Sequence, residues 1–391
     1  MTDGLAFGSG DGSRDAVNRA LGTGESLPGT GGFAGLIDGH LVRDVLGRVP
    51  LFVDGVAMDG SSIDGHVART SLSRGRTIAT DRRSATVDAA DWSRRPTALD
   101  DPIPVPSGTV DLEPRWTLPE PAPVDDRGRI VNQLDQAITD ATRRQATGAV
   151  GVAFSGGLDS ALLAAHLDAP LYTVGFPDSH DVEAAQAAAE ALGRRDDLTV
   201  IELSIDDVER AVPIVARAIG RTNAMDVAIA TSLYLVADAA ASDGAESLVI
   251  GQGADELFGG YEKIHRLDHR VESDTKREAV RELLASIPEQ LSRDVLAVEA
   301  GGVRPVTPYL HDDVVATALR LPAALYGTET TRKRALRHVA REYLPESIAD
   351  RRKKAFQYGS LVSRELDRLA RQAGYKRRMD DHVRRYVESR L

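Results

Sequence analysis

From residue 125 onward the chain alternates short apolar runs with amphipathic stretches, and this alternation predicts the elements of an α/β domain. Residues 130–144 put Val131, Leu134, Ala137 and Ile138 on one helical face. An apolar run at 149–154 predicts a buried strand, followed by a loop at 155–160 and a helix through 167. A second strand is expected at 171–176. The helix after it, 181–192, has Val182, Ala185, Ala188, Ala189 and Leu192 on its inner face. A third strand is read at 198–203, and Ser204 predicts the N-cap of a helix that ends at Gly220 and is bent by Pro213. Another helix is expected at 231–241 and another strand at 247–251. Strands separated by helices of this length predict right-handed βαβ units and a parallel sheet. After Glu262 the pattern is helical to the end, and no internal repeat is visible.

The first third of the chain is patterned less clearly. Residues 1–32 hold nine glycines and few large apolar groups, so the cost of ordering them is hardly offset by burial, and a mobile tail is expected. Alternating and β-branched residues at 36–56 predict a hairpin turning at Gly47. The prolines at 102, 104, 106, 114, 119, 121 and 123 predict an extended linker. The resulting division is 1–32, 33–124 and 125–391.

Composition narrows the picture. A chain of 391 residues with 42% apolar content suits two domains, each able to bury a core. No run of eighteen apolar residues and no basic-then-apolar N-terminus occurs, so the reading is a cytoplasmic protein without a membrane span. Zero cysteines exclude disulfides, thiolate metal sites and a cysteine nucleophile in this chain. The net charge of -11 opposes broad binding to nucleic acid or anionic lipid. Only 6 of the 48 basic residues are lysine, which with the acidic balance points to a halophilic protein; an arginine-rich codon bias is the plainer explanation.

Two strings carry chemistry. In Val152-Ala-Phe154-Ser155-Gly156-Gly157-Leu-Asp159-Ser160, two glycines and two hydroxyls lie between a strand and a helix. Glycines let backbone N–H groups converge on a phosphate, the serines donate further bonds, and the helix N-terminus favours an anion. Asp159 would repel phosphate unless a magnesium ion bridged the two. A glycine-rich turn with an N-cap is the plainer reading of this string, but its place at the C-terminal end of a strand favours a ligand cradle. The second string, Gly251-Gln252-Gly253-Ala254-Asp255-Glu256-Leu257-Phe258-Gly259-Gly260-Tyr261, follows the strand at 247–251 and reaches the same sheet edge, where Asp255 would be a second magnesium carboxylate.

The first string resembles the SGGxDS pyrophosphate loop of enzymes that cleave ATP between the α and β phosphates, and the second resembles GEGxDExFGGY of asparagine synthetases and the related β-lactam synthetases. Ordered matches continue at Thr173 to Pro177, Val306 to Leu310 with Asp312, Tyr343 to Ser347 and Arg352 to Phe356. The resemblance covers about residues 125–360 and is to the asparagine synthetase family. It implies an adenine nucleotide alpha hydrolase-like (HUP) parallel-sheet domain with a helical C-terminal part, using ATP and Mg²⁺. Phe154, Ser155, Gly156, Gly157, Asp159, Ser160, Val174, Ile250 and Gly251 would then hold the nucleotide, with Val174 against adenine, and Asp159 and Asp255 would hold the metal. Lys353 would neutralise pyrophosphate and the acyl-adenylate, with Lys333 a second candidate; a solvated basic helix end is the plainer reading of both.

The sequence also departs from the family. Its glutaminase nucleophile is an N-terminal cysteine, whereas residue 2 here is threonine. Yet Leu41 to Phe52, with Arg43, Asp44, Gly47 and Pro50, resembles the glutaminase motif RDxxGxxPLYY, and Pro106 to Gly108 with Trp116 resembles that domain's closing segment. Residues 33–124 are therefore expected to be a small, degenerate, β-rich, glutaminase-like (Ntn-type) remnant and linker. Gln252 replaces the family's glutamate, a candidate proton acceptor near the amine; glutamine hydrogen-bonds but is not a base, and Glu256 or water would have to serve. The resemblance thus implies an amide ligase using aspartate or another carboxylate, with ammonia arriving free or from a separate amidase. Adenylation of a tRNA base and a nucleotide-binding regulator without turnover stay open, as does a homodimer.

Overall fold

Antiparallel pairing organises the chain up to Pro114 and parallel pairing the rest, in a computed structural model that describes residues 4–8, 12–55, 91–177, 179–351, 361–378 and 380–391. The first region contains strand β1 (Ala6–Phe7), helix α1 (Arg14–Thr23), and strands β2 (Phe33–Ile37), β3 (His40–Arg43), β4 (Phe52–Asp54), β5 (Trp92–Ser93), β6 (Pro102–Pro104), β7 (Thr109–Val110) and β8 (Glu113–Pro114). They form two small sheets, ordered β1-β2-β3-β7-β8 and β5-β4-β6.

Three expectations for this region are corrected. The stretch read as a mobile tail contributes β1 and α1. Ser13 caps the helix by accepting from Ala16 N–H, Gly24 closes it in the left-handed conformation, and Val17 and Ala20 enter the main core, so caps and burial together outweigh the glycine content. The hairpin turns at Asp38-Gly39, where both residues have positive φ (50° and 85°), the conformation that an Asp-Gly pair accepts in a two-residue turn. Gly47 instead closes a separate tight turn onto the carbonyl of Asp44. The proline-rich stretch is extended but paired: β6 lies on the outside of its sheet, where a missing N–H donor costs nothing. Farther along, Arg277 and Arg281 donate to the carbonyls of Pro121 and Pro119.

Helix α2 (Arg127–Gln145) leads into β9 (Val150–Ala153), α3 (Leu158–Ala165), β10 (Leu171–Gly175), α4 (His180–Ala191), β11 (Leu198–Glu202), α5 (Ile205–Ile219), α6 (Ala224–Ser242) and β12 (Ser247–Val249). Short helices α7 (Ala254–Phe258) and α8 (Glu262–Arg266) precede the long α9 (Lys276–Ala300) and β13 (Arg304–Val306). The chain then runs through α10 (Asp312–Ala318), α11 (Arg334–Ala340), α12 (Glu346–Ala349), α13 (Val362–Gln372) and α14 (His382–Glu388). All five strands from β9 to β13 are parallel, ordered β11-β10-β9-β12-β13. Alternate side chains enter different cores: Leu171 and Val249 one, Tyr172 and Leu248 the other, as a period of two in a doubly covered sheet requires.

Strand β13 overturns the expectation of helix to the end of the chain, since it is three residues long, contains Pro305 and gives no alternation to read. Helix α6 starts earlier than its apolar pattern, at an Asn223 cap that accepts from Asp226 N–H. Among the described residues α6 is long and apolar enough to cross a membrane by length and composition, but half of it is buried here; Val227, Val236 and Ala237 form core with the sheet and α9.

The strand order places the useful edge. The chain leaves β9 toward β10 and β11 on one side, then returns to lay β12 and β13 on the other. The loops after β9 and β12 therefore diverge at the topological switch point, where open α/β sheets have a crevice.

Candidate active site

Phe154, directly after β9, is buried, and its N–H donates to Tyr172 O at 2.7 Å, which anchors the start of the first loop. Gly156 has φ 68°, and a Cβ there would lie 2.2 Å from the carbonyl oxygen of Ala184, so only glycine fits. Gly157 is the N-cap of α3. Ser160 Oγ accepts from Ser155 N–H and lies 3.2 Å from Ser155 Oγ, which gathers both hydroxyls at the helix start. Val174 is buried on the neighbouring β10.

The second loop is pinned by Ile250 N–H, which donates to Val306 O at 2.9 Å. Gly251 lies against Asp159, where an added Cβ would stand 3.4 Å from the aspartate's own. Gly253 is left-handed and touches Leu310; a Cβ there would be 2.3 Å from that side chain. Gly260 is just as constrained, because a Cβ would come within 1.8 Å of Asp255 Oδ1.

Lys333 joins the two loops. Its Nζ donates to Asp159 Oδ1 and Oδ2 at 2.8 and 2.7 Å and lies 2.7 Å from Asp255 Oδ1, with the lysine side chain 4% exposed. Its backbone is in the left-handed region, φ 57°, at the start of α11. The structure thus sets the second lysine candidate at the centre. Lys353, the first, lies outside the described residues.

Gln252 and Glu256 are both engaged, Gln252 by a group the sequence did not single out and Glu256 by the tyrosine that ends its own string. Gln252 Nε2 donates to Asp294 Oδ2 at 2.5 Å. Asp294 is buried on α9 and also accepts from Arg293 Nε at 2.7 Å, while Arg293 Nη1 reaches Asp226 Oδ1 at 2.8 Å. Burial pushes the Asp294 carboxyl up, with Arg293 and the Gln252 amide opposing. Glu256 is buried and accepts from the Tyr261 hydroxyl at 2.7 Å. Its carboxyl is likewise raised by burial, against the pull of Tyr261 and the charge of Lys333. Tyr309 adds a further tie, its hydroxyl donating to Asp159 O at 2.8 Å. The signal for Asp294 was the charged pair Arg293-Asp294 directly before the apolar run Val295 to Val298 of α9.

Asp159 and Asp255 converge on one cation, the Lys333 ammonium, which makes them an oxygen pair of the kind that holds magnesium when phosphate and water complete the shell. No group of three or more metal-binding side chains occurs among the described residues, so a protein-only cage is absent there while a phosphate-dependent site fits.

The chain matches the asparagine synthase family over residues 132–283 and 267–388. It is similar to the putative asparagine synthetase [glutamine-hydrolyzing] 1 of Methanocaldococcus jannaschii, 31% identical over 292 residues, covering 64% of this chain and 53% of the relative. Similarity to asparagine synthetase B [glutamine-hydrolyzing] of Escherichia coli is 29% over 254 residues, covering 58% and 45% of the two chains. An Arabidopsis thaliana asparagine synthetase [glutamine-hydrolyzing] is 28% identical over 235 residues, 54% of this chain and 39% of its own. The chain thus spans about half the length, or less, of these relatives.

Proposed function

The chain belongs to the asparagine synthase family, and from that premise we propose that it is an ATP-dependent, AMP-forming amide ligase, with aspartate as carboxylate and ammonia as amine. The observation that carries the reading is Lys333, whose one ammonium ties the aspartates of two separate nucleotide-type loops together at the switch point.

In the proposed reaction a carboxylate oxygen attacks the α-phosphorus of ATP, and the bond to the bridging oxygen breaks so that pyrophosphate leaves with the electron pair. The amine nitrogen then attacks the acyl carbon, AMP leaves, and the nitrogen gives up a proton. Backbone N–H groups around Gly156 and Gly157, with Ser155 and Ser160, orient phosphate. Lys333 balances the charge that develops on the departing pyrophosphate. Asp159 and Asp255 would hold Mg²⁺, which supplies charge neutralisation on phosphate oxygens. Glu256, the buried carboxylate beside Tyr261, is the proton acceptor in this scheme, because Gln252 is not a base.

Aspartate-dependent release of AMP and pyrophosphate, measured with ammonia and with glutamine, tests the proposal. Ammonia should support AMP formation and glutamine should not, since no cysteine is present to hydrolyse it. No AMP with ammonia and any amino acid would overturn amide synthesis. A second reading, adenylation of a different carboxylate, draws on Gln252: with its amide nitrogen committed to Asp294, it presents a neutral acceptor where the family has a charge. AMP release with a carboxylate other than aspartate selects that reading.

A further inference from the structure

The string Arg43-Asp44-Val45-Leu46-Gly47-Arg48 lies in the N-terminal region, far from the adenylation chemistry in sequence, yet both of its arginines are buried and both reach into the synthetase domain. Arg48 Nε pairs with Asp44 Oδ1 at 2.9 Å, and its Nη1 donates to Asp312 Oδ1 and Leu310 O, each at 2.7 Å. Asp312 is bound from the same side by Thr30, whose N–H lies 2.7 Å from Oδ2. The segment between Pro308 and Asp312 is thus held at its carbonyl and at its carboxylate by the N-terminal region.

That segment touches both site loops. Tyr309 OH holds the backbone carbonyl of Asp159, and Leu310 fills the space beside Gly253 that only a missing Cβ leaves open. The other arginine acts on the second wall of the site. Arg43 Nη2 donates to Ser292 Oγ at 3.1 Å, and Gly47 lies so close to Pro288 that an added Cβ would stand 3.0 Å from it. Ser292 and Pro288 are on α9, which two positions beyond Ser292 carries the Asp294 that holds Gln252.

We propose that Arg43 and Arg48 form a two-armed brace, positioning residues that set the two loops of the adenylation site through the 308–312 segment and through α9. The N-terminal region, which lacks a cysteine nucleophile, thereby retains a task that does not depend on glutamine hydrolysis. Each arm ends one contact short of the site: Arg48 through Tyr309 and Leu310, Arg43 through Ser292 and the neighbouring Arg293-Asp294 pair. The kinetic part of this inference rests on the amide-ligase reading, whereas the positioning part does not.

The test uses the full chain with Arg48→Lys, Ser292→Ala and Tyr309→Phe, read by amide hydrogen exchange and by AMP formation. Arg48→Lys keeps the charge but shortens the fork; Ser292→Ala removes the bond from Arg43 together with the serine's own bond to Pro288 O, Tyr309→Phe removes one hydrogen bond, and both keep the question answerable should the arginine variant not fold. Exchange at 155–157 and 251–254 should quicken at least about fivefold in Arg48→Lys, while β11, on the far side of the sheet, exchanges as in the wild type. Ser292→Ala should quicken 251–254 alone, and Tyr309→Phe 155–160 alone. AMP formation should fall about tenfold in kcat for Arg48→Lys with a smaller change in the KM for ATP, and the effect of Tyr309→Phe should shrink in the Arg48→Lys background. Uniform acceleration across the sheet, or unchanged loop exchange in all three variants, would overturn the brace. Absence of AMP in the wild type would instead count against the ligase reading and leave the exchange result to decide this one.

Discussion

Lys333 and Asp159 are 174 positions apart, yet the lysine nitrogen meets both oxygens of the aspartate within 2.8 Å. The same nitrogen meets Asp255, so a single buried ammonium separates two carboxylates that would otherwise repel each other at the head of the sheet.

Replacing Lys333 with methionine keeps most of the side-chain volume and removes that charge. AMP formation should fall by about 10²–10³, the scale found when one charge-stabilising donor is lost. The variant's melting temperature should also recover more on adding magnesium than the wild type's does, because a divalent ion then stands in for the ammonium. Pyrophosphate release and a thermal melt with and without magnesium check this; unchanged release would remove Lys333 from the chemistry.

Gln252 is matched to Asp294. Restoring the family's glutamate by Gln252→Glu would set two carboxylates against each other where a 2.5 Å hydrogen bond now lies, at a cost of about 1–3 kcal/mol near neutral pH. Adding Asp294→Asn should return most of that stability, since the asparagine amide would donate to the new carboxylate. Denaturant melts of the single and double variants decide it, and a single variant as stable as the wild type would mean the bond carries no weight.

Tyr261 keeps Glu256 more acidic than burial alone would leave it. Tyr261→Phe removes the donated hydrogen bond, so the carboxyl, already raised, rises further. If ionised Glu256 accepts the proton, the acid limb of the AMP-formation profile should move to higher pH, and the rate at high pH should stay near that of the wild type. A limb that stays in place assigns proton removal elsewhere.

Burial lowers the His166 imidazole below its ordinary value, and its ring lies edge-on to Tyr343, with centroids 4.5 Å apart. The folded state therefore binds fewer protons than the unfolded chain between that lowered value and about 6.5, and in that window stability falls as pH falls. His166→Gln should lose less melting temperature than the wild type between about pH 7.5 and 5.5. An equal loss in both proteins would assign the acid sensitivity to other groups.

Much of this was legible in the sequence, and the exceptions share physical causes. Strands β9 to β12 and the helices around them lie in apolar or periodic runs, short β12 included because Leu248 and Val249 run on into Ile250; β13 has three residues and a proline, too little for a period. The N-terminal helix was hidden by glycines, although its cap pair Ser13 and Gly24 was visible. Both site loops announced themselves because their glycines are dictated by close contacts, with the Ala184 backbone at Gly156 and with the Asp255 and Lys333 side chains at Gly260. Sequence alone makes Lys333 a second candidate behind Lys353, because reach across 174 positions is a property of the fold. A cue did exist: in a chain with only 6 lysines among 48 basic residues, each lysine marks a place where arginine's broad planar fork has not been used.

The left-handed backbone at Lys333 bears on how this protein would drift under artificial selection. A side chain in that conformation costs on the order of 1 kcal/mol relative to glycine. Glycine would relieve that strain but leave the Asp159 and Asp255 carboxylates facing each other without the ammonium, a larger loss, so a library screened only for heat resistance should keep the lysine.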